Sequence, residues 1–363
     1  MSIPTKYIVN DVRSFNNFKE KTFSGYSTKD VIAILKKKIM SNNIEEACNW
    51  CIELFLSLHI DKLYMMFLEI ALKNINITNP CLPIKLYNRY KIYCNINLDL
   101  FDLRNSQIIR NHIVELCVIV CLSNKNGSLN LIKIKDEDMN LSLLSKKFKA
   151  DKNYIEPYFK SNDPEEIKII LNEFIYYLNN KNYNLSVYMI SWLINYDKLC
   201  TKKKKKLICH ERFSSSIQKV NHTDIIWILW EIILIESQKR FNKNVYTQIQ
   251  YLYELYKLYY KPGSKYKYIN MYLYGLKYFT DLYEINTPII YNNYIKIQLC
   301  LKVNSFIGQK KHMEVVKNKQ ISFESNNKPK VEKKSEKKSE KKQKIEKSNN
   351  KFNILYNLDK NIK

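Results

Sequence analysis

Glycine is nearly absent from this chain: five residues in 363, at positions 25, 127, 263, 275 and 308. Loops that cradle a phosphate need clustered glycines so that backbone N–H groups can approach the ligand, and no two of these are close enough. Nucleotide hydrolysis on a P-loop and dinucleotide binding on a glycine-rich turn are therefore excluded. Histidine is also scarce. His59, His112, His210, His222 and His312 are scattered, none has a nucleophile at motif spacing, and no carboxylate pair stands in a glycine-rich context. No catalytic residue is assigned, and a non-enzymatic protein is expected. Cysteine is commoner, at nine, but poorly spaced for a metal. Cys48 and Cys51 form a CxxC inside a helical pattern with no second pair at zinc-ribbon spacing, and Cys117 and Cys121 fall on an apolar helix face. Five lysines that would repel a cation separate Cys200 from Cys209 and His210. Neither a metal site nor a cofactor is expected, and the pattern suits a reducing intracellular compartment, the nucleus or a viral replication compartment included. Long apolar runs are missing too. The most apolar run, Ile225 to Ile235, spans 11 residues and contains Glu231, whereas a bilayer span needs about 20. The polar first residues lack an apolar targeting core, so no membrane partner is expected.

What the chain has in quantity is lysine, asparagine, isoleucine and tyrosine. That composition follows from the codons of an A/T-rich genome, as in some large DNA viruses and parasites, so the 28 tyrosines need no functional account. Charge is more informative. The net charge is +25, and the tail from Gln309 onward holds 17 lysines against seven acidic residues, which leaves +15 on the 308 residues before it. A-rich codons also encode glutamate, so codon bias accounts for only part of the excess of lysine. Basic surfaces attract nucleic acid by releasing condensed counterions, and the same field attracts anionic membranes or acidic proteins.

The most regular stretch runs from Ser24 to Pro80. Ser27 and Asp30 form a capping box, and a helix starts near Thr28 with Val31, Ile32, Leu35 and Ile39 on one face. Asn42 and Asn43 break it. Asn43 caps a second helix that has Glu45 and Glu46 in its first turn and Ala47, Trp50, Cys51, Leu54, Phe55 and Leu58 at helical spacing. A third helix from about Asp61 to Leu72 turns Leu63, Phe67, Leu68 and Ala71 inward, and Asn79-Pro80 closes the unit.

In residue order this stretch resembles the helical C-terminal region of the MgsA/RarA family of clamp-loader-like AAA+ ATPases. Asp30, Val31, Lys37, Ile39, Glu46, Ala47, Trp50, Glu53, Leu54, Asn79 and Pro80 carry the resemblance. It implies a role in replication-fork maintenance and an oligomerisation surface, for which Trp50, Leu54 and Phe55 are the candidate residues. Lys73-Asn74-Ile75-Asn76 departs from that family's acidic step before the closing proline, and the ATPase half is absent.

The rest reads as nearly all helix. Residues 84–105 are irregular or weakly helical, and Ser106 caps an amphipathic helix to about Leu122. Alternating Leu129, Leu131, Ile132 and Ile134 predict a short strand pair near 129–135. Asp163-Pro164-Glu165-Glu166 starts a helix, with Asp163 as cap and proline in the first position. Lys202 to Lys206 is a run of five lysines between two apolar helices and must lie on the surface. It is open whether this is a solvated loop, a phosphate contact or a nuclear localisation signal. Arg212, Lys219 and His222 would extend a phosphate-binding patch. From Asn244 to Tyr283 tyrosine alternates with lysine over two helices joined at Pro262-Gly263, and Lys265 and Lys267 join the candidate nucleic-acid residues. Interleaved tyrosines either stack on bases or pack the helices.

From Gln309 the composition becomes low-complexity and charged, too poor in apolar residues to offset the entropy of ordering. A disordered tether over 309–350 is expected, then a docking peptide over 351–363 in which Ile354, Leu355 and Leu358 share one helical face. The expected organisation is an all-α, irregular multi-helix bundle of helical hairpins. It divides into an N-terminal arm (1–22), a first helical unit (23–122), a second (123–308), the tether and the peptide. Two functions fit. One is an accessory protein of DNA replication or repair that binds nucleic acid electrostatically and self-associates or docks a replication protein. The other is a helical scaffold or virion-associated structural protein.

Overall fold

A computed structural model describes residues 3–212, 222–286, 288–290 and 292–325. Among these residues there are thirteen α-helices and no strand. They gather into two compact units whose membership is not contiguous. The first collects residues up to 71, residues 85–125 and the C-terminal helix; the second collects 72–84 and 126–286. The expected units are contiguous, 23–122 and 123–308, whereas here 72–84 belongs with the later residues and the C-terminal helix with the earlier ones.

The first unit begins with α1 (Thr28–Met40), α2 (Ile44–Leu56) and α3 (Ile60–Ile70). Its cap residues are those expected: the Asn43 side chain accepts from the Glu46 amide and the Ser27 side chain from the Asp30 amide, though the Asp30 carboxylate does not reach back to complete the expected box. Asn42 makes the reversal at φ 54°, a left-handed conformation that asparagine tolerates. Val31, Leu35, Ile39, Ala47, Leu63, Phe67 and Ala71 are buried. The segment expected to be irregular or weakly helical forms α4 (Leu82–Cys94) and α5 (Leu100–Asn105), followed by α6 (Gln107–Leu122). Helix α6 packs against α1, α2, α3 and the last helix, which explains why Leu116 to Cys121 is apolar all round.

Two fully buried arginines lash the N-terminal arm to this unit. Arg104 donates to the carbonyls of Leu56 at 3.0 Å, Asp11 at 2.6 Å and Arg13 at 2.8 Å. Arg110 donates to the Arg104 and Tyr7 carbonyls and to the side-chain oxygens of Asn105 and Asn304. The last helix corrects the expected tail. It spans Asn293–Ser325, so the tether does not begin at Gln309, and Leu299, Val303, Phe306, Ile307 and Lys310 are buried along it. The expected tether beyond Ser325 and the docking peptide with Ile354, Leu355 and Leu358 lie outside the described residues.

The second unit holds α7 (Leu141–Leu144), α8 (Glu165–Asn179), α9 (Tyr183–Lys202), α10 (Ile226–Arg240), α11 (Lys243–Tyr259) and α12 (Ile269–Thr280), and the C-terminal helix of the first unit becomes α13. The strand pair near 129–135 does not form. The amide of Leu129 donates to the Lys73 carbonyl and that of Ile132 to the Ser191 hydroxyl, so helix-end and side-chain acceptors replace a ladder. Around α10 the tyrosines are core. Trp230 is fully buried, edge-on to Tyr272 at 5.2 Å and beside Tyr253 and Tyr256, and Gly275 lets α12 approach Ile233 closely. The phenols of Tyr274 and Tyr278 both donate to the Pro80 carbonyl.

Candidate nucleic-acid interface

The five lysines form the exit from α9. Lys203 closes the helix by donating to Leu199, Lys204 adopts φ 59°, and the Lys205 amide returns to the Cys200 carbonyl. Leu207 and Cys209 then turn into the core, so the intervening side chains project into solvent. Lys202, Lys203, Lys204 and Lys205 are exposed and carry no ion pair among the described residues. Lys206 is half exposed, with its ammonium 3.6 Å from Asp224.

Asp224 brings a second segment to this loop. The same carboxylate lies 3.5 Å from the ammonium of Lys265 and accepts from the hydroxyl of Tyr260. Lys265 also pairs with Asp197 at 2.8 Å, and Asp197 accepts from Tyr266 at 2.8 Å. Asp197 belongs to α9, five residues before Lys202, and both carboxylates are nearly inaccessible to water. Burial first, and the neighbouring carboxylates second, push the phenols of Tyr260 and Tyr266 far up, so both remain neutral donors. The turn that carries Lys265 also exposes Lys261 and Lys267, the latter over the Tyr268 ring at 5.1 Å. Lys198 is exposed on α9 with its ammonium 5.9 Å from the Tyr266 ring. The result is one lysine-rich surface from two stretches about 60 residues apart, with acid beneath it rather than on it.

Not every predicted residue reaches this surface. Arg212 is buried and bonds both oxygens of Asp163 at 2.6 Å and Glu231 at 2.7 Å, so it has no donor left over for a phosphate. Burial alone would raise the Asp163 carboxyl, but the hydrogen bonds and charge of Arg212 outweigh it and hold it below the usual carboxylate range. Asp163 is therefore an ion-pair partner rather than a helix cap. Lys265 is likewise held by the two aspartates. His222 pairs with Glu211 at 3.0 Å, and Lys219 lies outside the described residues.

The candidate association residues also separate. Leu54 and Phe55 are fully buried core of the first unit, whereas Trp50 is half exposed. Trp50 meets the Tyr26 ring edge-on at 5.3 Å and carries the Lys310 ammonium 4.5 Å above its face. These residues line a groove of about 650 Å³ with Asn49, Gln309 and His312. Beneath it Glu53 accepts from the amide and hydroxyl of Ser24, both at 2.7 Å, and lies 3.6 Å from Lys310. Gly25, at φ 80°, makes the turn that presents Ser24 and Tyr26.

The thiols of Cys48, Cys51 and Cys121 surround that of Cys117, and burial pushes the Cys117 thiol well up. Among the described residues no group of three or more His, Cys, Asp or Glu side chains is placed to hold a metal ion. No described helix is long and apolar enough to cross a membrane. Comparison with protein-family models, with curated proteins and with solved structures finds no match.

Sequence reasoning missed the aspartate joint. A signal was there: Asp197 shares its helix face with Ile190, Leu193, Ile194 and Cys200, and an acid on an apolar face requires a buried partner.

Proposed function

We propose that the protein is a non-enzymatic helical accessory protein of DNA replication or repair that binds nucleic acid through the lysine surface of its second unit. The observation that carries this is the convergence of the Lys202–Lys206 loop and the Lys261–Lys267 turn around Asp224. Exposed ammonium groups at Lys198, Lys202, Lys203, Lys204, Lys205 and Lys267 crown it. Lysine contacts phosphate as a point charge, so binding is electrostatic and indifferent to base sequence. Assignment to replication or repair rests on the resemblance of residues 24–80. Self-association or docking of a replication protein falls to Trp50 rather than to Leu54 or Phe55.

Fluorescence anisotropy of labelled duplex DNA at rising KCl tests the binding. Binding that weakens steeply with salt is expected, and Lys202→Ala, Lys203→Ala, Lys204→Ala and Lys205→Ala together should flatten the logarithmic slope by about 3–4 units, near 0.9 for each phosphate no longer neutralised. No binding at low ionic strength, or an unchanged slope in the variant, defeats the proposal.

A further inference from the structure

We infer that Asp197 and Asp224 are positioning residues of the lysine surface: two buried carboxylates that fasten the α9 loop and the Lys261–Lys267 turn into one face. The inference rests on the nucleic-acid reading for its consequence but not for its geometry. Asp197 reaches the turn from α9 through Lys265 and Tyr266. Asp224, just before α10, reaches the loop through Lys206 and the turn through Lys265 and Tyr260. The Tyr256 hydroxyl, from α11, donates to the Lys265 carbonyl and fixes the backbone of the same turn. Three elements distant in sequence thus meet on one small network of two acids, two lysines and three phenols. Among the described residues the Oδ1 atom of Asp197 is buried without a hydrogen-bond partner, and its carboxylate is answered by Lys265 and Tyr266. An acid so placed has no obvious value for stability, since replacing a buried ion pair by apolar groups is often neutral. Its value here is registry: lysines on a loop and a turn repel one another, and the carboxylates below hold them together.

Registry and simple charge repulsion predict opposite signs. If the aspartates were only unwanted negative charge near a polyanion site, neutralising either would strengthen DNA binding and steepen its salt dependence. If they position the surface, neutralising them weakens binding although net positive charge rises. Asp224→Asn and Asp197→Asn in the full chain are read two ways. Amide hydrogen exchange should speed up at least tenfold over residues 202–207 and 265–267 while the amides of α8 and α10 keep their protection. Duplex-DNA anisotropy should weaken, with a slope flatter by about 1–2 units. Unchanged exchange in the loop and turn, or tighter binding with a steeper slope, overturns the inference. Should the wild type bind no DNA, the nucleic-acid reading fails by itself and the exchange result still decides the joint. Should an Asp→Asn variant lose protection throughout α8 to α12, Tyr260→Phe and Tyr266→Phe, each lacking one hydroxyl, take its place. Faster local exchange then supports the joint and no change refutes it.

Discussion

Buried charge serves opposite ends at two places, the N-terminal arm of the first unit and the lysine surface of the second. In the first unit Arg104 and Arg110 are fully buried and neither is ion-paired to a carboxylate among the described residues; carbonyl and amide oxygens satisfy them. Burial pushes the Arg110 guanidinium down to about 10, still charged at neutral pH. In the second unit the buried charges at the lysine surface are Asp197 and Asp224, answered by lysines that reach the surface. A buried cation bonded to backbone carbonyls acts as a rivet, because each N–H fixes one strand of chain. A buried anion below lysines sets the place of a surface charge. The first arrangement should matter to stability and the second to binding.

The sharpest way to break this contrast is to remove a rivet. Arg104→Ala strands the carbonyls of Leu56, Asp11 and Arg13 and should cost about 3 kcal/mol in chemical denaturation, since each buried acceptor left unsatisfied costs about 1–3 kcal/mol. Trypsin should then cut at Lys6, Arg13 and Lys19 well before it cuts the helices. A loss below about 1 kcal/mol would mean that water takes over the bonds and that the arm is not held this way.

The converse test strips the surface of the other unit. Changing Lys202–Lys205 to glutamate should lower DNA affinity on the order of a hundredfold at low salt while stability stays within about 0.5 kcal/mol, because exposed groups without partners contribute little to folding. An equal fall in stability would place the loop in the structural class with Arg104.

Trp50 stands between these classes, half buried and half available. Trp50→Ala removes the edge contact with Tyr26 and the cation–π contact with Lys310, together about 1–2 kcal/mol. Sedimentation velocity should show a lower apparent mass than the wild type if the groove is an association surface. An unchanged mass restricts Trp50 to covering the Glu53–Lys310 pair.

Some of this was legible in the chain and some was not, for physical reasons. Ser27 and Asn43 announced their caps because a cap is a local bond between neighbours in sequence. The apolar faces of α1, α2, α6 and α8 were visible as period. Arg104 and Lys265 were not, since charge predicts exposure and what buries them is an acceptor set from distant parts of the chain. The overlong tail has a similar cause. Leu299, Val303, Phe306, Ile307 and Lys310 keep helical spacing, but the last position on that face is a lysine and reads as solvated. The tyrosines were ambiguous because the same ring serves base stacking and helix packing; only burial decided for Tyr256, Tyr272 and Tyr274. At the lysine surface the loop was predicted, whereas the acids that join it to the turn required the fold.

The smallest expected effect, a pH dependence, separates the units without mutating either. His59 is buried in the first unit, donating from Nε2 to the Phe18 carbonyl at 2.7 Å, with its Nδ1 unpartnered among the described residues. Burial, and then the nearby Lys62, hold its imidazole below the usual value, and burial with Arg89 does the same to His112. A histidine with a depressed folded-state pKa favours the fold in its neutral form. Its contribution is complete above the unfolded value of about 6.5 and is lost as pH falls below it, because the unfolded chain takes up the proton first. The depressed carboxyls of the second unit, Asp163 and Glu236, change charge only further into acid. Between pH 7 and 5 the first unit alone should weaken, by at most about 1 kcal/mol per histidine. Amide exchange should show faster opening in α3 and α6 while α8 and α10 hold, and His59→Gln should remove part of the change. Equal weakening of both units over that range would show that the histidines do not set it.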